Sequence, residues 1–365
     1  MTVVALTGAG GFLGWHTRGA AHADGMEVRP VALGDAFDAG AAALAISGAS
    51  RLVHLAGVNR ASDEEVLAGN VRFAEQLAEA LLAASVPPRT VVFANSIQAG
   101  NGTTYGTAKA RAAEILGAAA ERVGAAFVDE LLPNLFGEHG RPFYNSVVAT
   151  FSHQIAAGEE PRVDQDRELT LLHAQNAADL LLGTVDSAQR TSLEVRETVT
   201  GVLERLNGIA GIYGRGGEIP DLTSPFDRDL FNTYRAAAFD RVTPIRLSRH
   251  ADERGSFFET VRSHGGTGQS SFSTTASGIT RGQHYHRRKV ERFTVLSGEA
   301  IIALRRLFTD QVYEFRISGD EPASVDMPTM WSHKITNVGE SLLYTSFWSN
   351  ELFDPEHPDT VPEPV

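Results

Sequence analysis

The chain changes rhythm once, and that change restricts its fold more than any other feature. Up to about residue 190, short apolar runs at 3–7, 28–33, 51–55, 90–94 and 125–130 alternate with longer alanine-rich segments of helical spacing, such as 71–84. Alternating strands and helices predict a Rossmann-type α/β fold, a parallel sheet covered on both faces. From about residue 241 the pattern turns to short β-rich pieces at 257–261, 292–296, 300–304, 313–317 and 342–347, broken by Gly, Asp and Ser. That spacing predicts an all-β barrel or sandwich. A helical stretch at 226–238 closes the first pattern, so the expected domains are 1–242 and 243–365.

Hydrophobic residues make up 42% of the 365 positions and charged ones 21%, a balance that lets the whole chain fold. The formal charge of -13, with no basic run, argues against nucleic acid or an anionic membrane as a partner. Cysteine is absent. A metal site would therefore be built from His, Asp or Glu, and a thiol nucleophile is excluded. The opening residues lack the cationic start of a signal peptide, and no apolar run approaches the roughly 18 residues of a spanning helix. The expectation is a cytoplasmic protein.

Gly8, Gly11 and Gly14 form a G-x-x-G-x-x-G loop between the first strand and the first helix. Gly8 permits a tight turn, Gly11 lets the backbone approach a pyrophosphate, and Gly14 lets helix pack on strand, while the helix N-terminus offers N–H groups to the anion. The position between strand and helix favours a dinucleotide loop over a plain tight turn. Tyr105 and Lys109 lie four apart on a predicted helix and face the same way. With three lysines and seven tyrosines in the chain, a Y-x-x-x-K arises by chance only about 0.06 times. Ser96 follows the fourth strand, at the sheet edge where ligands bind. An ammonium lowers the pKa of a neighbouring phenol, so Tyr105 can exchange a proton with an oxygen held by Ser96 while a nicotinamide exchanges hydride with the carbon. Asp35, just past the second strand, either accepts from a ribose 2′-hydroxyl and favours NAD(H), or is a plain surface aspartate.

TGAGGFLG at 7–14, HLAG at 54–57, Ser96, YGTAK at 105–109 and PNLFG at 133–137 together resemble the extended short-chain dehydrogenase/reductase family. The resemblance implies NAD(P)-linked chemistry on a nucleotide sugar. It places the cofactor against Phe12, Leu13, Leu55, Ala56 and Gly57 as well as the glycine loop, Tyr105 and Lys109. Sugar dehydratases of that family carry an Asp-Glu pair just after the catalytic hydroxyl residue, whereas Ile97 and Gln98 follow Ser96 here. A dehydratase is disfavoured.

A second constellation lies in GITRGQHYHRRKVERFTVLSG at 278–298. On a strand His284 and His286 point to one face, Glu291 can return to that face from the next strand, and His333 in MPTMWSHKITN is a fourth candidate. Three imidazoles and a carboxylate suit one divalent ion, zinc first, against the reading of histidines satisfied within a core. The pattern resembles the two cupin motifs, with Pro328, His333 and Asn337 in the second and Met330 where cupins usually have glycine. DERGSFFE at 252–259 and GITRGQHYH at 278–286 also resemble the sugar-nucleotide 3,5-epimerases of the cupin superfamily. In those the histidine matching His284 is the base and no metal is used; His286 and Glu291 argue for His284 as a ligand.

The chain as a whole is similar to the bifunctional capsular polysaccharide enzymes of the L-N-acetylfucosamine pathway. Matching stretches include HLAGVNR (54–60), NSIQA (95–99), YNSVVATF (144–151), ELTL (168–171), DERGSF (252–257) and FDPEHPDT (353–360). The resemblance implies a metal cupin that inverts C3 of a UDP-linked 4-keto-6-deoxy amino sugar. It also implies a reductase that converts the C4 ketone with NADPH, giving UDP-2-acetamido-2,6-dideoxy-L-talose or a close analogue. Lys289 matches a motif lysine and is the candidate C3 base, or a solvated surface lysine; Asn134, Asn145 and Arg167 are candidate substrate contacts. Paired cupin barrels suggest a homodimer. Two rival readings stand beside this one: a lone reductase whose cupin only binds sugar or dimerises, and an enzyme with tightly held NAD that interconverts C4 epimers.

Overall fold

In the computed structural model, which describes residues 2–365, five parallel strands form a sheet in the order β2-β1-β3-β4-β5. They are β1 Val3–Thr7, β2 Glu27–Val31, β3 Arg51–His54, β4 Thr90–Ser96 and β5 Ala126–Leu132. Each predicted strand is present, with ends shifted by up to two residues. Side chains alternate between the two faces. Ala5, Leu52, Val91 and Phe93 join the core beneath α2 (Ala39–Ile46), α3 (Asp63–Ala83) and α4 (Thr104–Val123). Val4, Leu6, Val53 and Val92 join the opposite core, under α1 (Phe12–Ala23) and the helix Ala174–Leu182. The order reverses between β1 and β3, which opens a crevice at their carboxyl ends. Local signals fix the helix ends: Ser62 and Glu65 form a capping box on α3, Thr103 caps α4, and Gly124 ends α4 in the left-handed region at φ 75.

From residue 245 onward the regular elements are all strands, as expected. One antiparallel sheet runs Gln269–Thr275, Leu343–Ser349, Glu291–Ser297, Ala323–Met327, Ile245–Arg246; the other runs Val312–Ser318, Glu299–Arg306, Trp331–Asn337, Thr280–Tyr285, Val361–Pro362. Phe293, Val295 and Val325 from the first meet Ile302, Leu304 and Ile335 from the second in one core. The strand expected at 257–261 is not formed. Strand structure there is limited to a small hairpin, His250–Asp252 with Gly255–Phe257, whose turn is held by the Asp252–Arg254 ion pair. Strands missing from the sequence reading are also present, among them Gln269–Thr275, Ala323–Met327 and Trp331–Asn337.

Packing divides the chain into Met1–Phe136 with Leu169–Arg196, and Gly137–Glu168 with Glu197–Val365. The expected boundary at 242/243 marks the change from helix to strand, but the compact units divide elsewhere. The helix Pro225–Val242 shows why. Its Phe239 is buried in the β-core, with its ring centroid 4.8 Å from that of Trp331. Arg292, buried on the strand Glu291–Ser297, pairs with Asp326 at 2.6 and 2.9 Å and donates to the Gly217 carbonyl, while the Tyr213 hydroxyl donates to Asp326 at 2.9 Å. These buried polar partners fasten the segment around 213–217 to the strands. Among the described residues no helix is long and apolar enough to cross a membrane.

Candidate functional site

The glycine loop sits at the crevice where the sheet order reverses. Gly8 has φ +67, and a Cβ there would lie 2.8 Å from the Ala56 nitrogen, so the loops after β1 and β3 touch only because Gly8 has no side chain. A Cβ on Gly14 would lie 2.1 Å from the Gly8 carbonyl oxygen, so helix α1 can start this close to the turn only with glycine at that position. Gly11 is the N-cap of α1, and no side chain caps that first turn, which contains Phe12 and Leu13. The arrangement matches what an incoming pyrophosphate requires.

Leu55, Ala56 and Gly57 follow β3 and are fixed by residues that the sequence reading passed over. Thr7 Oγ1 accepts from the N–H groups of Leu55 and Ala56 at 3.0 and 3.2 Å, which leaves its proton for His54 Nδ1 at 2.7 Å. Burial, and then the charge of Lys109, depress the His54 pKa to about 3. His54 is a neutral structural imidazole. Asn70 holds the next residue, donating to the Val58 carbonyl at 2.7 Å. Both Thr7 and His54 lay inside the TGAG and HLAG motifs, but their bond spans 47 residues and no local pattern marks it.

Ser96 lies at the end of β4 and Tyr105 in the first turn of α4, close enough for the serine hydroxyl to act on the phenol. Gly106 makes this approach possible, because a Cβ there would fall 2.4 Å from the Gln98 carbonyl oxygen. Lys109, one turn on, is buried; it donates to the Ala94 carbonyl at 2.7 Å and stands 4.0 Å from the Phe93 ring centroid. The expectation that Lys109 lowers the Tyr105 pKa is corrected here. Burial raises the phenol, the Ser96 hydroxyl opposes that rise, and Lys109 makes no resolved contribution. Burial instead acts on the lysine, bringing its pKa down to about 7 against the upward pull of Asp129. Asp129 also accepts from Asn95 at 2.8 Å, and Asn95 Oδ1 accepts the Ser96 N–H at 2.9 Å, so this network aims Ser96.

The remaining expected contacts differ in quality. Asp35 lies in the turn after β2, fully exposed and paired with Arg72 at 2.8 Å. Its carboxylate is shared with a cation rather than waiting for a ribose hydroxyl. Asn134 donates to the Thr170 carbonyl at 3.1 Å. Asn145 adopts φ 56 in the loop before the helix Val147–Ala156, and Arg167 is exposed just before the strand Glu168–His173.

In the β-rich unit His284, His286, Glu291 and His333 come together, with one ligand atom from each lying within 4.8 Å of the others. Glu291 reaches them from the opposite sheet, not from the strand beside His284. His284 pairs with His333 across neighbouring strands, just past a register shift between Gly282 and His284. The missing glycine of the second cupin motif is compensated by backbone strain. Met330 takes φ 60 and its N–H donates to the His286 carbonyl at 2.7 Å.

The hydrogen bonds of the two buried imidazoles reveal their purpose. His286 Nδ1 contacts the Asp359 carbonyl at 2.6 Å, and His333 Nδ1 contacts the Trp331 carbonyl at 3.2 Å. A carbonyl accepts only, so each Nδ1 carries a proton and each ring turns its Nε2 inward. Both Nε2 atoms face Glu291 Oε2, at 3.0 and 3.2 Å, and His284 Nε2 lies at 3.9 Å. Burial first depresses the His333 pKa, to about 4, so that ring is neutral. Burial would raise Glu291, but the three imidazoles around it outweigh that and hold it well below the carboxylate range. Three imidazole nitrogens converging on a carboxylate could hold a cation among them. The donor set fits a tetrahedral divalent ion such as zinc. Glu291 also lines a cavity of about 150 Å³ with Lys289, Trp348, Asp354 and His357, the last two hydrogen-bonded at 3.2 Å.

Comparison with known proteins follows this division of the chain. The NAD dependent epimerase/dehydratase family matches residues 4–192, and the polysaccharide biosynthesis C-terminal domain family matches residues 250–361. Over 98% of this chain and 97% of the relative, the sequence is 32% identical to UDP-2-acetamido-2,6-beta-L-arabino-hexul-4-ose reductase of Pseudomonas aeruginosa. The capsular polysaccharide assembling protein CapF of Staphylococcus aureus superposes with a TM-score of 0.62 at 31% identity, covering 100% of both chains. The spore coat polysaccharide biosynthesis protein SpsL of Bacillus subtilis is 26% identical over 33% of this chain and 85% of its own length. The resemblance to two-domain capsular polysaccharide enzymes holds from end to end.

Proposed function

Because the chain belongs to the NAD dependent epimerase/dehydratase family, we propose that it is a two-site enzyme acting on a UDP-linked 4-keto-6-deoxy-N-acetylhexosamine. The first site reduces the C4 ketone, and the second, a metal cupin, inverts C3, giving UDP-2-acetamido-2,6-dideoxy-L-talose or a close analogue. The observation that carries the reductase half is the placement of Ser96 at the carboxyl end of β4 beside the first turn of α4, which carries Tyr105 and the buried Lys109. A bound nicotinamide supplies hydride to C4. Ser96 holds the ketone oxygen, Tyr105 gives it the proton that completes the alcohol, and Lys109 sits buried one turn behind Tyr105. NADP(H) is the favoured cofactor, since Arg72 beside Asp35 can pair with a 2′-phosphate; NAD(H) is the alternative if Asp35 takes the ribose.

The epimerase half rests on the inward Nε2 atoms of His286 and His333. A ketone at C4 acidifies the C3 hydrogen, and a divalent ion, when bound, supplies Lewis acidity toward that ketone oxygen. Lys289 and His357 line the cavity beside Glu291 and are the candidate carriers for removing the C3 proton and returning one to the other face. Asn134, Asn145 and Arg167 are proposed sugar-nucleotide contacts. We further propose a homodimer through the β-domain, where Phe257 and Phe272 are exposed; sedimentation at micromolar concentration reads it directly. The proposed location is the cytoplasm, where nucleotide sugars and NADPH are available.

Incubating the zinc-loaded protein with the 4-keto substrate in D2O, with and without NADPH, tests both halves by NMR. Deuterium should enter C3 without NADPH, and the ketone should vanish once NADPH is added. Absence of C3 exchange would sink the epimerase half, and a persistent ketone would sink the reductase half. A second reading has one observation in its favour: the P. aeruginosa relative is named only as a reductase. It makes the β-domain a non-catalytic sugar-binding module, and predicts that His286→Ala leaves product stereochemistry unchanged.

A further inference from the structure

Metal ligands are only as well aimed as the groups behind them. In the β-domain that backing comes from the last dozen residues of the chain. The Asp359 carboxylate accepts three consecutive backbone N–H groups, from Arg287 at 2.9 Å, Arg288 at 3.0 Å and Lys289 at 2.8 Å. Its own carbonyl contacts His286 Nδ1 at 2.6 Å. Asp359 adopts φ 43 to do both. Three successive amides around one carboxylate form an anion nest. The nest lies in the loop that joins His286 to Glu291, so it sets the distance between two of the four ligands. On either side the tail is anchored again. The Arg288 guanidinium pairs with Glu351 and donates to the His357 carbonyl, and Pro362 and Val361 lie beside His284 and Tyr285 in the sheet.

We propose that Asp359 is a positioning residue for the metal site: its carbonyl fixes His286 as the Nδ1–H tautomer with Nε2 inward, and its carboxylate holds the loop between His286 and Glu291. The inference rests on the reading of His284, His286, Glu291 and His333 as a divalent metal site. Without the carboxylate, the three amides lose their acceptor and the peptide of residue 359 loses its anchor to the loop. The Nδ1 contact then slackens, and His286 is free to present the wrong tautomer. Outer partners of this kind commonly govern metal affinity 10–100-fold.

The test uses the full-length protein stripped with a chelator, then titrated with zinc against a chromogenic chelator and with cobalt(II) in parallel. Asp359→Asn and Asp359→Ala should weaken zinc at least tenfold and alter the cobalt d–d bands. Glu363→Gln is the control. It removes a tail charge that pairs with Arg305, away from the nest, and should leave zinc affinity and cobalt bands as in the wild type. Such a pattern separates positioning from general loosening of the tail. Should Asp359→Ala fold poorly, Asp359→Asn keeps the shape with one fewer carboxylate oxygen, and its zinc-induced rise in Tm over its own metal-free form reads the same coupling. Equal zinc affinity and identical cobalt bands in wild type and Asp359→Asn would overturn the proposal while leaving the metal site intact. A wild-type protein that takes up neither ion would overturn the metal reading itself.

Discussion

Replacing Lys109 with methionine should stabilise the reductase fold below neutral pH while abolishing reduction. The ammonium is buried, and its pKa falls from 10.5 to about 7. At 1.36 kcal/mol for each pH unit, that fall corresponds to a folding cost on the order of 5 kcal/mol. The sign follows from proton binding. Between about pH 7 and 10.5 the unfolded chain holds a proton that the folded chain has released, so wild-type stability rises with pH there, and the cost is fully present below pH 7. Methionine removes the cost but also removes the bond to the Ala94 carbonyl, whose burial without a partner costs roughly 1–3 kcal/mol. The net gain at pH 6 is then about 2–4 kcal/mol, and it should reverse near pH 10, where only the orphaned carbonyl remains. Hydrogen exchange of peptides from Thr104–Val123 along urea series at pH 6, 8 and 9.5 measures the difference. A difference that does not change with pH, or a variant less stable even at pH 6, refutes the argument that Lys109 is held against its solvation.

Three further outcomes follow from the same contacts. Tyr105→Phe should lower ketone reduction by about 100- to 10,000-fold in NADPH-consumption assays, with C3 deuterium exchange in the β-domain retained. Gly14→Ala places a Cβ 2.1 Å from the Gly8 carbonyl; helix and turn must separate, and NADPH binding by fluorescence titration should fall at least tenfold, with a lowered Tm. Arg292→Met leaves Asp326 charged and buried beside Tyr213, and should cost about 3–5 kcal/mol in urea unfolding. Adding Asp326→Leu should recover much of that loss.

What could be read from the sequence depended on whether the determining contact was local. The parallel strands are apolar runs because both faces are buried, and the glycine loop shows itself through spacing alone. Gln269–Thr275 reads QSSFSTT, and its mostly exposed side chains leave no apolar alternation to detect. Ala323–Met327 contains Asp326, a residue that disfavours a buried strand until Arg292, far off in sequence, neutralises it. The division at 242/243 missed the packing because Phe239 is an ordinary helical residue in sequence and a β-core residue in space. In the His284, His286, Glu291 and His333 cluster the four residues were legible from type and offset. The carbonyls that set their tautomers were not, since backbone atoms carry no sequence signature.

The two sites use burial toward different ends, and they are built from different materials. At the first site a dry helix–sheet interface beside Phe93 brings the Lys109 pKa down to about 7. The second needs imidazoles aimed inward, which backbone carbonyls secure for His286 and His333, while burial depresses the His333 pKa to about 4. Under the proposed function the C4 ketone links them. While it persists, C3 remains acidic and the inversion is reversible; once Tyr105 has protonated the oxygen, C3 is no longer labile. Reduction therefore fixes whichever C3 configuration the reductase accepts, and the order of the two steps is imposed by the substrate's own chemistry.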